Sequence, residues 1–300
     1  MKQFFIHRKL INYIIISCLL FAACNKKRVE QDAYQSMDTF YNKYKQKEQD
    51  FVVDTGQSPC LITGMMGTRL YNICDTGMFV RKKDGSSITY PYHIRLVEIY
   101  PIKDMILWPL PSIAAGKILE TEASIRVRGF KDNDTLVLKP GRTYTADFAP
   151  VTNLFSPAQV YDGIDNGTFV DWVIDNASSV IVNPFYDSLT VANMGWVNTA
   201  RLHSSSSSYA TITFSAPGTN PQNIGIFLVF KNFKSVMQVY NLVSGQIPAG
   251  ETVTLIAMAV NQNNQYLLQK QDYTISANMT IALNMQAISE SDLITTLSGL

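Results

Sequence analysis

From Phe51 onward the chain is written in short runs whose apolar side chains recur at about every second position, cut by Gly, Pro, Asn and Asp. That period puts alternate side chains on opposite faces of a pleated strand, and it leaves no room for long amphipathic helices. ITYPYHIRLVEIY alternates around Ile94, Leu96 and Ile99, and ASIRVRGF sets Ile125 and Val127 against Arg126 and Arg128. DTLVLKPGRTYTADF reads as strand, Pro-Gly turn, strand. Asp84-Gly85 and Asn166-Gly167 mark hairpins, the latter joining the two runs of VYDGIDNGTFVDWVI. YATITFSA, IGIFLVFK, TVTLIAMAV, QYLLQKQ and MTIALNM complete the set. No segment of residues 51–150 carries a helical period.

The expected fold class is therefore all-β, as two β-sandwich-like domains over residues 51–150 and 151–300. A short closing helix follows in SESDLITTLSGL, with Ser289 or Ser291 as N-cap and Leu293, Ile294 and Leu297 on one face. Pro140-Gly141-Arg142-Thr143-Tyr144-Thr145 is echoed by Ala249-Gly250-Glu251-Thr252-Val253-Thr254, as two related modules would produce. Few sequences write a turn followed by a strand, so chance accounts for the echo equally well.

The first residues obey a different logic. Lys2, Arg8 and Lys9 precede an apolar stretch from Leu10 to Ala23, which suits a signal peptide over residues 1–23 and is shorter than the about 20 residues of a membrane span. Leu20-Phe21-Ala22-Ala23-Cys24 resembles a bacterial lipobox, with Phe21 where Leu is usual. The resemblance implies cleavage before Cys24 and a thioether-linked diacylglyceryl group on its sulfur. Several acyl chains, at about 0.8 kcal/mol per buried methylene, exceed what stable anchoring requires. The alternative is an unlipidated signal peptide in which Cys24, like Cys18, is a small hydrophobe. Residues 24–50 read as a tether ending in a short helix, with Ala33, Met37, Phe40, Tyr41 and Tyr44 near a helical period. Its expected resting place is the first β domain.

Two other cysteines remain, Cys60 and Cys74. An oxidising envelope compartment would join them; two buried thiols on neighbouring strands is the other reading. No Cys-x-x-Cys occurs and no His lies near either, so neither has metal-ligand spacing. Net charge is +1 with 16% charged residues, which provides no basic field for nucleic acid.

ITGMMGTRLYN (62–72), YHIRLVEIY with KDMIL (92–107), MGWVNTARL (194–202), IFLVFKNFKSVMQ and IPAGETVTLIAM together resemble a recurrent type of uncharacterised Bacteroidota lipoprotein. The first region is also similar to ZU5-type β-modules, whose members serve as interaction and scaffold domains. The resemblance covers nearly the whole chain and implies an envelope location and β-sandwich modules. It brings no activity. The basic residues after Cys24 leave the periplasmic and surface faces equally open.

Asp54-Thr55-Gly56 and Asp75-Thr76-Gly77 look like aspartic-protease turns, but that chemistry needs one carboxylate from each of two lobes or subunits. These copies are too close in sequence for that and read as Asp-x-Gly turns. No Gly-x-Ser-x-Gly or phosphate-binding glycine loop occurs. His93 falls in an alternating strand, and His203 borders Ser204–Ser208, expected to be an exposed loop. Asp162, Asp165, Asn166 and Asp171 lack the order of an EF-hand and read as a hairpin. No pair among the acidic residues stands out as a glycosidase pair. Of the tryptophans, Trp172 and Trp196 fall in strand-like runs and are assigned to the core. Trp108, before Pro-Leu-Pro, is the candidate ligand-contact aromatic.

The reading is a membrane-anchored, non-catalytic binding or scaffold module of the cell envelope, at the outer membrane, with no cofactor and no metal site. Its partners are the membrane through Cys24 and an envelope protein or glycan. The alternatives are a glycan-binding accessory lipoprotein and, third, an envelope hydrolase.

Overall fold

A computed structural model describes residues 36–55, 60–148, 158–167, 169–182, 186–204, 208–217 and 220–300. The expected signal peptide and Cys24 lie outside them. The described chain is mostly β, with several antiparallel sheets and three short α-helices, α1 (Met37–Tyr44), α2 (Ile102–Leu107) and α3 (Glu290–Ser298).

The first sheet runs β1 (Gln49–Val53), β5 (Tyr92–Ile99), β7 (Lys117–Lys131), β14 (Gly195–Leu202), β10 (Gln159–Asp165), β11 (Val170–Ile174), with β6 (Ile113–Ala114), β8 (Asp134–Leu138) and β4 (Phe79–Arg81) branching from β7. The second runs β12 (Ser179–Val182), β13 (Asp187–Val191), β9 (Tyr144–Asp147), β3 (Arg69–Tyr71), β2 (Leu61–Thr63). The third runs β18 (Val236–Val239), β17 (Ile224–Phe230), β20 (Thr252–Val260), β21 (Tyr266–Thr274), β23 (Gln286–Ile288). Two small pairs accompany it: β15 (Tyr209–Ala210) with β19 (Ile247–Pro248), and β16 (Ile212–Ser215) with β22 (Met279–Ala282), the latter parallel.

Alternation sorts each strand between two cores. Tyr92, Ile94 and Leu96 of β5 face a core shared by the first and second sheets, with Ile125 and Val127 from β7 and Leu70, Tyr144 and Leu189 opposite. On β20, Val253, Leu255 and Ala257 face a second core with Ile212, Phe214, Leu228 and Ile281. The intervening Ile256, Met258 and Val260 face a third, where Val97, Ile99 and Trp196 of the first sheet meet all three helices. IGIFLVF and TVTLIAMAV are apolar at nearly every position because both faces of those strands are covered.

Four features depart from the sequence expectations. Strands on either side of residue 150, where the domain junction was placed, hydrogen-bond into the same two sheets: β14 pairs with β7, and β13 with β9. The Pro140-Gly141 turn, with Gly141 at φ +77°, does not close a hairpin; β8 stays in the first sheet and β9 enters the second. A helix, α2, occupies Ile102–Leu107 after Pro101, too short for a helical period to be read. Finally, α1 docks chiefly on the third sheet rather than the first. Phe40 packs on Tyr266 at 5.4 Å, and Lys43 pairs with Glu290 at 2.9 Å. The Tyr41 hydroxyl sits 2.3 Å from where a Cβ on Gly225 would be, so the missing side chain makes its seat.

The closing helix forms with Ser289 as its N-cap, accepting from Asp292 N–H at 3.1 Å, and buries Leu293 and Leu297. Both sheet systems meet around Glu120 of β7, which holds Arg201 and His203, while His203 Nε2 lies 3.4 Å from Glu251 at the start of β20.

Candidate functional site

The register of the first sheet builds one row of side chains. Across its strands Val97 stands opposite Arg126, Arg126 opposite Trp196, Trp196 opposite Gly163, and Gly163 opposite Trp172. Arg95 stands opposite Arg128 in the neighbouring row. Like charges facing across an antiparallel pair repel and require a counter-ion. Glu48, just before β1, supplies it: its carboxylate accepts from Arg128 at 2.6 Å and lies 3.5 Å from Arg126 and 3.8 Å from Arg95.

Above this row, Trp108 caps the C-terminus of α2, its N–H donating to Asp104 O. Its indole N–H donates to Gln46 O at 3.2 Å, which fixes the ring. Trp108 and Trp196 meet edge to face with centroids 5.5 Å apart. The Arg126 guanidinium lies 4.7 Å from the Trp108 ring and 5.0 Å from the Trp196 ring, and Lys45 Nζ lies 4.6 Å from the Trp108 ring. These are cation–π distances. Asn42 holds the Lys45 ammonium at 2.6 Å. The walls enclose a cavity of about 250 Å³, with Asp38 and Asn42 from α1 and Asp165 and Phe169 from the β10–β11 hairpin at its rim.

The Arg126 side chain is 15% exposed, and its Nε–H is buried with no hydrogen-bond partner. Burial, seconded by neighbouring Arg128, holds its guanidinium below the usual arginine range, while Glu48 and Asp165 pull the other way. A largely buried cation that shares one carboxylate with two other arginines and lines a cavity between two indoles favours an incoming acceptor. Two further cavities adjoin the third sheet. One of about 340 Å³ lies between Ile113, Phe169, Met237 and Tyr240. The other, of about 480 Å³, is lined by Phe233, Lys231, Lys234 and Lys270.

The residues singled out in the sequence fall as follows. Trp108 is half-buried at the cavity wall; Trp172 and Trp196 are buried, and Trp196 serves both core and cavity. Cys60 and Cys74 are joined by a disulfide with Cα atoms 5.5 Å apart and pack with the core of the first and second sheets. The Asp75 carboxylate accepts from Gly77 N–H at 2.7 Å, making an Asp-x-Gly turn; the remainder of the Asp54 turn lies outside the described residues. Asp162 accepts from Asn193, while Asp165 and Asn166 bond within their own hairpin turn, so this stretch does not converge. His93 pairs with Asp50 at 2.9 Å on the surface. His203, which borders the Ser204–Ser208 run, is 13% exposed and stacked on Phe233 at 4.0 Å between two glutamates. Among the described residues, no three His, Cys, Asp or Glu side chains converge as metal ligands would.

Arg126 and Lys45 are not candidates in the sequence reading, and Asp165 enters it only as part of a hairpin. The readable signal was the facing arginines of ASIRVRGF and YHIRLVEIY, which require a shared counter-ion and an unusual environment. Neither family models nor curated proteins gave a match to this chain.

Proposed function

We propose that this chain is a lipid-anchored cell-envelope protein of two β-sandwich-like modules that binds without catalysis, and that it takes a glycan in the Trp108–Arg126–Trp196 pocket. The observation that carries the reading is the pocket itself: two indoles fixed at right angles, with charged and amide groups around the rim. Apolar walls suit the C–H faces of a sugar, and Asp38, Asn42 and Asp165 suit its hydroxyls. The core shared by the first and second sheets supports one module, ending after Leu202 rather than at residue 150. The core between the third sheet and the small pairs supports the other.

The leader supports anchoring through Cys24, and the Cys60–Cys74 disulfide supports a compartment outside the cytoplasm. The helix that follows the tether itself lines the pocket. At about 3.3–3.6 Å per extended residue, the stretch from Cys24 to Met37 keeps the site within roughly 45 Å of the membrane. A ligand borne by the same envelope, or reaching its surface, falls within that range. A scaffold role toward an envelope protein is the second reading, favoured by the ZU5-like first region.

Two measurements test the proposal. Cys24→Ala is expected to move the protein from the membrane pellet to the soluble fraction, and persistence in the pellet removes the anchor. Screening the mature protein against a glycan array is expected to give ligands whose capture is lost in Trp108→Ala; binding that survives this variant removes the pocket.

A further inference from the structure

We infer that the ligand of this pocket is an acidic sugar, a uronic acid or similar carboxylate-bearing ring, held by its carboxylate on Arg126. This inference rests on the glycan reading and narrows it.

Glu48 is a single carboxylate serving Arg95, Arg126 and Arg128, and Arg128 takes its short contacts, at 2.6–2.9 Å. Arg126 keeps only the 3.5 Å contact. The two indole faces beside it attract a cation but accept no hydrogen bond as an oxygen does. One of its five N–H donors is thus buried and unused. That atom is closed to solvent, so an incoming carboxylate meets the guanidinium on the part of the side chain that lines the cavity, where it adds a charge-assisted bond stronger than the one a sugar hydroxyl offers. Lys45, at 4.6 Å from the same indole and on the same cavity wall, adds a second cation.

The rest of the cavity argues for a sugar rather than an aliphatic acid. Asp38 and Asp165 repel a second anionic group and accept hydroxyl protons, so the site favours a ligand with one acidic end and several hydroxyls. Its volume of about 250 Å³ lies below the roughly 300–1,000 Å³ of drug-sized sites, which suits one ring.

Titration calorimetry and indole fluorescence of the mature protein at low ionic strength test this with D-glucuronic and D-galacturonic acid against D-glucose and D-galactose. The acids are expected to bind about tenfold or more tightly than their neutral counterparts. Added salt should narrow that gap, and Arg126→Gln should abolish it while leaving weak neutral binding. Because Arg126→Gln sits between two indoles and risks misfolding, Lys45→Gln is the second variant and should reduce the preference in a folded protein. Equal binding of acidic and neutral sugars, or a preference untouched by both variants, overturns the inference and leaves the glycan reading standing. No binding of any of the four at millimolar concentration overturns the acidic-sugar inference, and an empty glycan array overturns the reading beneath it.

Discussion

Gly163 stands directly opposite Trp196 across the β10–β14 pairing, and a Cβ placed on it would come within 2.5 Å of both Trp196 Cβ and Val170 Cγ1. The bare backbone at 163 is what lets Trp196 and Trp172 close over the strand and present one indole to the pocket. Gly163→Ala is therefore expected to destabilise by about 1–3 kcal/mol through overpacking. It should also shift Trp196 away from Arg126, read as a changed indole emission maximum. A variant with unaltered stability and emission would mean that the row has slack the geometry does not show.

The Cys60–Cys74 bridge closes a loop with a sequence separation of 14. Chain entropy assigns such a loop a stabilisation of about 3 kcal/mol. The segment is also pinned without the bridge, since Tyr90 and Tyr92 donate to the carbonyls of Cys74 and Ile73, each at 2.8 Å. The double variant Cys60→Ala, Cys74→Ala should lower the urea midpoint by the equivalent of about 2–4 kcal/mol and leave the far-UV spectrum intact. Reductant should reproduce the loss in the parent protein and add nothing in the variant.

These two sites differ in how far the sequence announced them. The strands were legible where the period of two survives, as at Tyr92, Ile94 and Leu96 of β5, and the helix start was legible to Ser289 or Ser291 because cap chemistry is local. The pairing partners were not. Nothing local in MGWVNTARL says that it lies between β7 and β10, since that choice is made by which apolar faces remain to be covered. α2 was invisible for a related reason: a helix of this length is held by Met105, Ile106 and Leu107 packing into a core assembled from distant strands. Trp108 was legible as a chain-exposed aromatic beside prolines. Arg126 became meaningful only once register set it beside Trp196 and Glu48.

Lys234 lies where β7 and β14 slip register: Thr199 faces Ala123 and Ala200 faces Thr121, so Glu122 is skipped. Lys234 Nζ donates to the Glu122 carbonyl. Burial pushes its ammonium down to about 8, with Glu122 opposing. In the unfolded chain the amine holds its proton to the usual value of 10.5. Between these limits the unfolded state binds the extra proton, so stability rises with pH across that window. Below about pH 8 the penalty of the buried charge is fully present. Urea unfolding of the parent at pH 7.5 and 9.5 should show this gain, on the order of 2 kcal/mol, and Lys234→Met should flatten it. An equal slope in both proteins would place the titrating group elsewhere.

Phe40 is fully buried against Tyr44 and Tyr266, and it joins α1 to the third sheet. Removing its ring leaves a cavity in the shared core, which typically costs about 3–5 kcal/mol. Here the loss divides in a telling way. The helix has eight residues, too few to persist alone in water, so once Phe40 no longer holds it the helix should come away before either sheet system unfolds. Asp38, Tyr41, Asn42 and Lys45 would leave the pocket with it. Phe40→Ala should therefore expose residues 37–45 to hydrogen exchange and abolish ligand capture, while amides of β7 and β20 keep most of their protection. If the helix and the sheets instead lose protection together, the two systems and the tether form a single cooperative unit. The pocket would then be lost through global destabilisation rather than through undocking of its helical wall.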